Sequence, residues 1–110
     1  MTRLFIETEV FTRQWAGMGM DDDDLQLLEM YLINNPNAGD TIAGTGGAKK
    51  IRVSMDSRGK RGGGRVIYVD VVMRETIFLL AAYSKNVQVD LNAKQKSAVR
   101  NAVKSIMEGG

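Results

Sequence analysis

Residues 48–84 read AKKIRVSMDSRGKRGGGRVIYVDVVMRETIFLLAAYS, and this stretch decides the fold. It divides into three runs, Ala48 to Met55, Arg65 to Met73 and Thr76 to Ser84. Each is bounded by turn signals, and Val53, Val66, Val69, Val71, Val72 and Ile77 supply the β-branched residues that suit strands. Arg74-Glu75 predicts a tight hairpin connection, whereas Gly59, Gly62, Gly63 and Gly64 predict a longer loop between the first two runs. The result is a meander of three antiparallel strands.

Upstream, Arg3 to Thr8 reads as a strand covered on both sides, with Leu4 and Ile6 on one face and Phe5 on the other. Phe11 and Trp15, four apart, then mark a short helix. Asp21 to Asn34 carries the clearest helical period, through Leu25, Leu28 and Leu32, with Leu27 and Tyr31 widening the stripe. Its four aspartates, Asp21 to Asp24, fit the helix start, where carboxylates cap free N–H groups and meet the positive end of the dipole. A divalent-metal cluster is the sharper reading, but adjacent helical residues do not face one another. Asn35-Pro36 ends the helix, and Asn37 to Gly47 reads as a loop. Downstream, Asn92 is a good N-cap for a last helix carrying Val99, Ala102, Val103 and Ile106 on one face. Lys96, Arg100 and Lys104 form a basic stripe on another face and read as solvated. Residues 1–110 are therefore expected to form one α+β domain, two N-terminal helices and one C-terminal helix packed on a mainly antiparallel sheet.

Composition narrows the chemistry. The chain has no Cys and no His, which removes disulfides, thiolate and imidazole metal sites, and Ser-His or Cys-His dyads. Catalysis is left to Lys, Arg, Tyr, Asp, Glu, Ser or Thr. The longest strictly apolar run, Ile77 to Tyr83, falls far short of the about 20 residues that span a bilayer. With no signal-peptide anatomy at the N-terminus, a cytoplasmic location away from membranes is expected.

The formal net charge of +2 hides an asymmetry. Residues 1–40 carry a net charge of −6 and residues 41–110 a net charge of +8. Between Lys49 and Arg65 the basic residues Lys49, Lys50, Arg52, Arg58, Lys60, Arg61 and Arg65 face only Asp56. On a strand Lys50 and Arg52 share a face, and the returning strand can bring Arg65 beside them. Crowded like charges repel unless an anion neutralises them, and a phosphate backbone is the natural partner. Solvated decoration of an exposed edge is the plainer alternative. Gly44-Thr45-Gly46-Gly47-Ala48-Lys49-Lys50 lacks P-loop spacing and leads into a strand, and Gly59 to Gly64 does not match a dinucleotide fingerprint. Tyr83, at the end of the third run beside Lys85, is the aromatic best placed at a functional rim, with a core role as its alternative.

Gly39-Asp40, Gly44 to Gly47, Lys50-Ile51-Arg52-Val53, Gly59 to Gly63, Arg65-Val66-Ile67-Tyr68, Tyr83-Ser84-Lys85-Asn86 and Asp90-Leu91-Asn92-Ala93 together resemble the RelE/HigB family of type II toxins, most closely its HigB-like branch. The resemblance runs in order over nearly the whole chain, and residues 1–38 share mainly layout. It implies a RelE-like compact domain and a ribosome-dependent mRNA endonuclease that enters the A site and needs no metal or cofactor. Such a toxin inhibits translation and is silenced by a cognate, HigA-like antitoxin. The RNA supplies its own nucleophile, the 2′-OH, so the protein need only move protons and stabilise charge. A lysine crowded by cations gives up its proton more readily.

Carried over, the resemblance implies Arg65 for charge stabilisation, Lys85 for leaving-group protonation or charge, Lys50 as base or positioning group, Arg52 as its basic neighbour, and Tyr83 for orienting or stacking. Lys49, Arg58, Lys60 and Arg61 are left to grip RNA. The chain departs from the pattern at Arg52, where RelE has a lysine, and near Asn92, where RelE has a tyrosine. It also lacks the histidine that some HigB toxins use. A gyrase-inhibiting, ParE-like toxin and a non-catalytic RNA- or antitoxin-binding module of the same fold are the alternative readings.

Overall fold

The computed structural model describes residues 2–55 and 63–109. Within them the chain runs β1 (Leu4–Glu7), α1 (Glu9–Gly17), α2 (Asp22–Asn34), β2 (Asp40–Thr41), β3 (Lys49–Val53), β4 (Gly64–Val71), β5 (Thr76–Ser84) and α3 (Ala93–Met107). The strands form one five-stranded sheet in the order β1-β5-β4-β3-β2. The expected meander is present as β3-β4-β5, and β2 adds antiparallel to β3. Among the described residues only β1 pairs in parallel, with β5.

Helices cover both faces. On one, Phe11 and Trp15 of α1 and Leu28 and Leu32 of α2 pack on Val66, Tyr68, Ile77 and Leu79. The rings of Phe11 and Trp15 stack at 5.4 Å. On the other face, Val99, Val103 and Ile106 of α3 pack on Ile67, Val69, Phe78 and Leu80. Strand β5 lies between these layers and is buried along its whole length, which is why it reads as an unbroken apolar run rather than an alternating one.

The helix starts follow from local hydrogen bonding. Asp21 and Asp24 cap α2 reciprocally, each carboxylate accepting the other's backbone N–H at 2.9 Å. Among the described residues, no three His, Cys, Asp or Glu side chains gather in a metal-binding group. Asn92 and Gln95 form the same capping box on α3.

Four expectations need correction. Strand β1 is an edge strand covered on one face only: Phe5 packs inward, while Leu4 is 62% exposed and Ile6 40% exposed. The stripe of α2 is narrower than its leucines suggest, since Leu27 is 67% exposed and Tyr31 half-exposed. The loop of residues 37–47 contains β2, too short to show a period. The hairpin at Arg74-Glu75 is built on a 3-10 turn over Val72–Arg74, closed by Glu75 in the left-handed region at φ 49°. The glycine-rich connection from β3 to β4 lies outside the described residues up to Gly63. There φ is +66°, and a Cβ would run into the Val53 carbonyl oxygen. No helix among the described residues is long and apolar enough to cross a membrane.

Candidate active site

The register of the meander sets the site. Arg52 on β3 lies directly opposite Arg65 on β4, and Arg65 lies directly opposite Tyr83 on β5. Directly opposed residues share a face, with Cα atoms about 4.5–5.5 Å apart. The row Arg52–Arg65–Tyr83 therefore crosses three strands on the α3 side, and Lys50 joins it two residues along β3. A β-bulge makes this possible. The β4–β5 register slips between Ile67 and Tyr68, so Leu80 and Ala81 both face α3 and the alternation beyond them changes phase. Without that slip, Tyr83 would share the face of Leu79, under α1 and α2.

Two cations placed directly opposite each other destabilise a sheet. Arg52 is exposed and Arg65 half-buried, and the Arg65 Nη1 donates to the Gly64 carbonyl at 3.1 Å. Lys50 is held by Asp90, its Nζ 3.4 Å from Oδ1. Asp90 sits in the turn before α3, which is tied down from both sides. Its carboxylate accepts the Leu91 N–H at 2.8 Å, and Gln88 Nε2 donates to the Asp90 carbonyl and to Gln95 Oε1, both at 2.8 Å. The Leu91 N–H holds the Asp90 carboxyl below the usual carboxylate range, with Lys50 and Lys96 adding to the effect. Lys50, Asp90, Lys96, Asp40 and Thr41 line a cavity of about 290 Å³.

The edge of this cavity depends on Tyr68. Buried in the core, it donates from Oη to the Pro36 carbonyl at 2.9 Å and accepts the Gly39 N–H at 3.1 Å. That pair of bonds pins the chain leading into β2. Gly39 must be glycine for a related reason: a Cβ would come within 2.7 Å of the Ile51 side chain.

The structure sorts the residues singled out from the sequence. Lys50, Arg52 and Arg65 share one face, and Lys85 follows at the rim, exposed, its N–H bonded to the Gly63 carbonyl at 3.0 Å. Lys49 is separated from them. It pairs with Tyr68, faces the α2 side and donates to Thr41 Oγ1 at 3.1 Å. Tyr83 is 6% exposed and packed among the residues under α3, so its ring cannot stack on a base. Its hydroxyl is buried without a hydrogen-bond partner among the described residues. Burial, reinforced by Asp90 and opposed by Arg65, raises the Tyr83 pKa. Arg58, Lys60 and Arg61 lie outside the described residues. Asp90 was assigned no role from the sequence, although it stands in the Asp90-Leu91-Asn92-Ala93 motif; its partner Lys50 is 40 positions away.

These features define a small α+β protein whose sheet carries a cationic row beside a carboxylate–lysine pair. The chain belongs to the RelE family, described as the RelE toxin of the RelE/RelB toxin–antitoxin system, whose model matches residues 3–109. The fold agrees with solved structures of the E. coli toxin RelE. A free double arginine-to-alanine mutant of that toxin aligns over 94% of this chain and 99% of its own, at 13% identity and a TM-score of 0.62. RelE in the intact E. coli RelBE complex aligns over 74% and 94%, at 14% identity and a TM-score of 0.54. The mutant bound to an antitoxin RelBc peptide aligns over 83% and 100%, at 16% identity and a TM-score of 0.52.

Proposed function

We propose that this chain acts as a single-domain, ribosome-dependent mRNA endonuclease, cutting in the A site by attack of the RNA 2′-OH on the adjacent phosphorus. The observation that carries this reading is the cross-strand pair Arg52–Arg65 with Lys50 on the same face, a cationic row spaced for a phosphate backbone. Attack forms the 2′-O–P bond and breaks the bond from phosphorus to the 5′ oxygen. This leaves a 2′,3′-cyclic phosphate and a 5′-hydroxyl.

Arg65, half-buried and opposite Arg52, stabilises the charge that builds on the phosphoryl oxygens. Asp90 accepts the proton of the 2′-OH, and its ion pair holds Lys50 toward the phosphate. Lys85 at the rim donates a proton to the departing 5′ oxygen. Arginine is unsuited to either transfer because its pKa lies above about 12. Tyr83 contributes its ring, which packs in the layer under α3 directly opposite Arg65 and backs that strand position.

Family membership and the structures of RelE with its antitoxin support a second element of the reading, a cognate antitoxin that silences this chain. Within the family we assign the chain to the HigB-like branch with a HigA-like antitoxin, on the motifs from Tyr83 to Ala93. A ribosomal substrate places the protein in the cytoplasm. The test adds purified protein to programmed ribosomes and maps mRNA ends by primer extension, alongside a gyrase supercoiling assay. Cuts within the A-site codon are expected, and intact mRNA with inhibited gyrase would overturn the reading.

A further inference from the structure

The basic stripe of α3 is not absorbed by the cleavage site. Helix α3 carries Lys94, Lys96, Arg100 and Lys104 and no acidic residue between Ala93 and Met107. Lys96, Arg100 and Lys104 are exposed, and Arg100 and Lys104 join no ion pair among the described residues. Their spacing of four sets successive cations about 6 Å apart along the helix axis.

The glycine-rich loop before β3 lies directly against this stripe. A Cβ on Gly44 would stand 3.9 Å from Lys96 Cε, and one on Gly46 3.4 Å from Val103 Cγ1. Both glycines have positive φ, at 79° and 80°, so the loop takes a path that bare backbone follows without strain. Loop and helix enclose a groove of about 450 Å³ lined by Gly44, Thr45, Gly46, Arg100 and Lys104. Lys96 stands at the other end, where it also lines the cavity of Lys50 and Asp90. The groove and the cleavage site are thus consecutive along one edge of α3.

The charge split of the chain maps onto the two layers. Residues 1–40, net −6, supply the helices of one face, and residues 41–110, net +8, supply the sheet interior and α3. A polyanion is steered toward the α3 face and repelled from the other.

From these observations, and resting on the reading that RNA is the substrate, we propose that Lys96, Arg100 and Lys104 with the Gly44–Gly47 loop form a phosphate track. It holds the RNA backbone as it continues past the cleavage site. Gly44 and Gly46 keep the loop side of the groove low, Val103 and Met107 line its helix side, and a backbone lying in it passes close to three evenly spaced cations.

The track is tested by fluorescence anisotropy with a labelled 2′-O-methyl oligoribonucleotide, which binds but has no 2′-OH to attack, over a series of salt concentrations. Each phosphate contact to single-stranded RNA contributes about 0.7 to the slope of log K against log salt. The double variant Arg100→Ala/Lys104→Ala is expected to lower the slope by about 1.4, an affinity loss of about 25-fold at 0.1 M salt. Arg100→Lys should restore the slope at its position. The control Arg13→Ala removes an exposed charge on α1, away from the track, and should leave the slope unchanged where Arg100→Ala alone lowers it by about 0.7. An unchanged slope in the track variant, or an equal fall in the control, would overturn the proposal. So would a track variant that keeps its RNA slope and instead fails to bind an acidic antitoxin. Binding is read without cleavage: wild-type protein that cuts no mRNA refutes the nuclease reading, whereas an unchanged slope refutes the track alone.

Discussion

Tyr83→Phe separates stability from function at one atom. The Tyr83 ring fills the layer beneath α3, and its hydroxyl is buried with no partner among the described residues. A buried hydroxyl without a partner costs about 1–3 kcal/mol in lost hydration. Phenylalanine keeps the ring and removes that cost, at the expense of a void smaller than a methyl group. A net gain of about 1 kcal/mol is expected. With an unfolding entropy of about 2.1 cal/mol/K per residue over 110 residues, each kcal/mol raises Tm by about 4 °C. Differential scanning calorimetry and urea titration at pH 7 measure the gain. Single-turnover cleavage on programmed ribosomes, run in parallel, should be unchanged, because among the described residues the hydroxyl bonds to nothing that the site uses. A variant that melts lower by several degrees would show that the hydroxyl is satisfied in the folded protein, and would refute the reasoning. A variant that is more stable and fully active would confine Tyr83 to packing.

Arg65→Ala should slow cleavage by about 10²–10³-fold while a cooperative urea transition shows the domain still folded; full cleavage in the folded variant would contradict the assignment. Lys50→Ala should cost far more activity than Lys49→Ala, since Lys49 faces the α2 side, and comparable losses in primer-extension assays would show that the strand face does not matter. Asp90→Asn should lose about 10²–10⁴-fold in rate while still binding the 2′-O-methyl oligonucleotide. Since the Leu91 N–H keeps the Asp90 carboxyl below its ordinary range, it stays ionised and imposes no acid limb on wild-type cleavage above about pH 5. A rate that halves near about pH 6 would point to another base. Burial raises the Tyr68 phenol above its usual 10.0, so the unfolded chain loses that proton first and stability falls as pH rises past 10.0. Tyr68→Phe should cost about 1–3 kcal/mol at pH 7 by stranding the Pro36 carbonyl and the Gly39 N–H, with a shallower alkaline decline in urea titrations.

Elements whose partners are local were legible. The leucine period of α2, the capping boxes at Asp21 and Asn92, and the strand runs around Val66 and Ile77 all reflect contacts within a few residues or one buried face. The parallel pairing of β1 depends on a strand some 70 positions away, and no local period reports it. Leu4, Phe5 and Ile6 read alike whether one face or two is covered. At the site, alternation alone grouped Lys50 with Arg52, and the same rule carries Lys49, counted with the RNA-gripping residues, to the opposite face. The meander brought Arg65 opposite Arg52, as expected from the hairpin. The face of Tyr83 was not legible, because the slip between Ile67 and Tyr68 shifts the phase of β5 inside a run where every residue is apolar. Asp90 was hidden for a different reason: its role comes from the capped turn that returns it to Lys50, and a lone carboxylate in a loop carries no period at all.

Cleavage through the RNA's own 2′-OH, driven by the row of Lys50, Arg52 and Arg65, leaves a chemical signature at the ends of the cut fragments. Fragments from programmed ribosomes treated with wild-type protein would be probed by mass spectrometry and by labelling with and without prior phosphatase. Wild-type fragments should carry 2′,3′-cyclic phosphates and 5′-hydroxyls, and Arg65→Ala should yield almost none. Fragments bearing 5′-phosphates, or identical ends in equal amount from Arg65→Ala, would contradict this route.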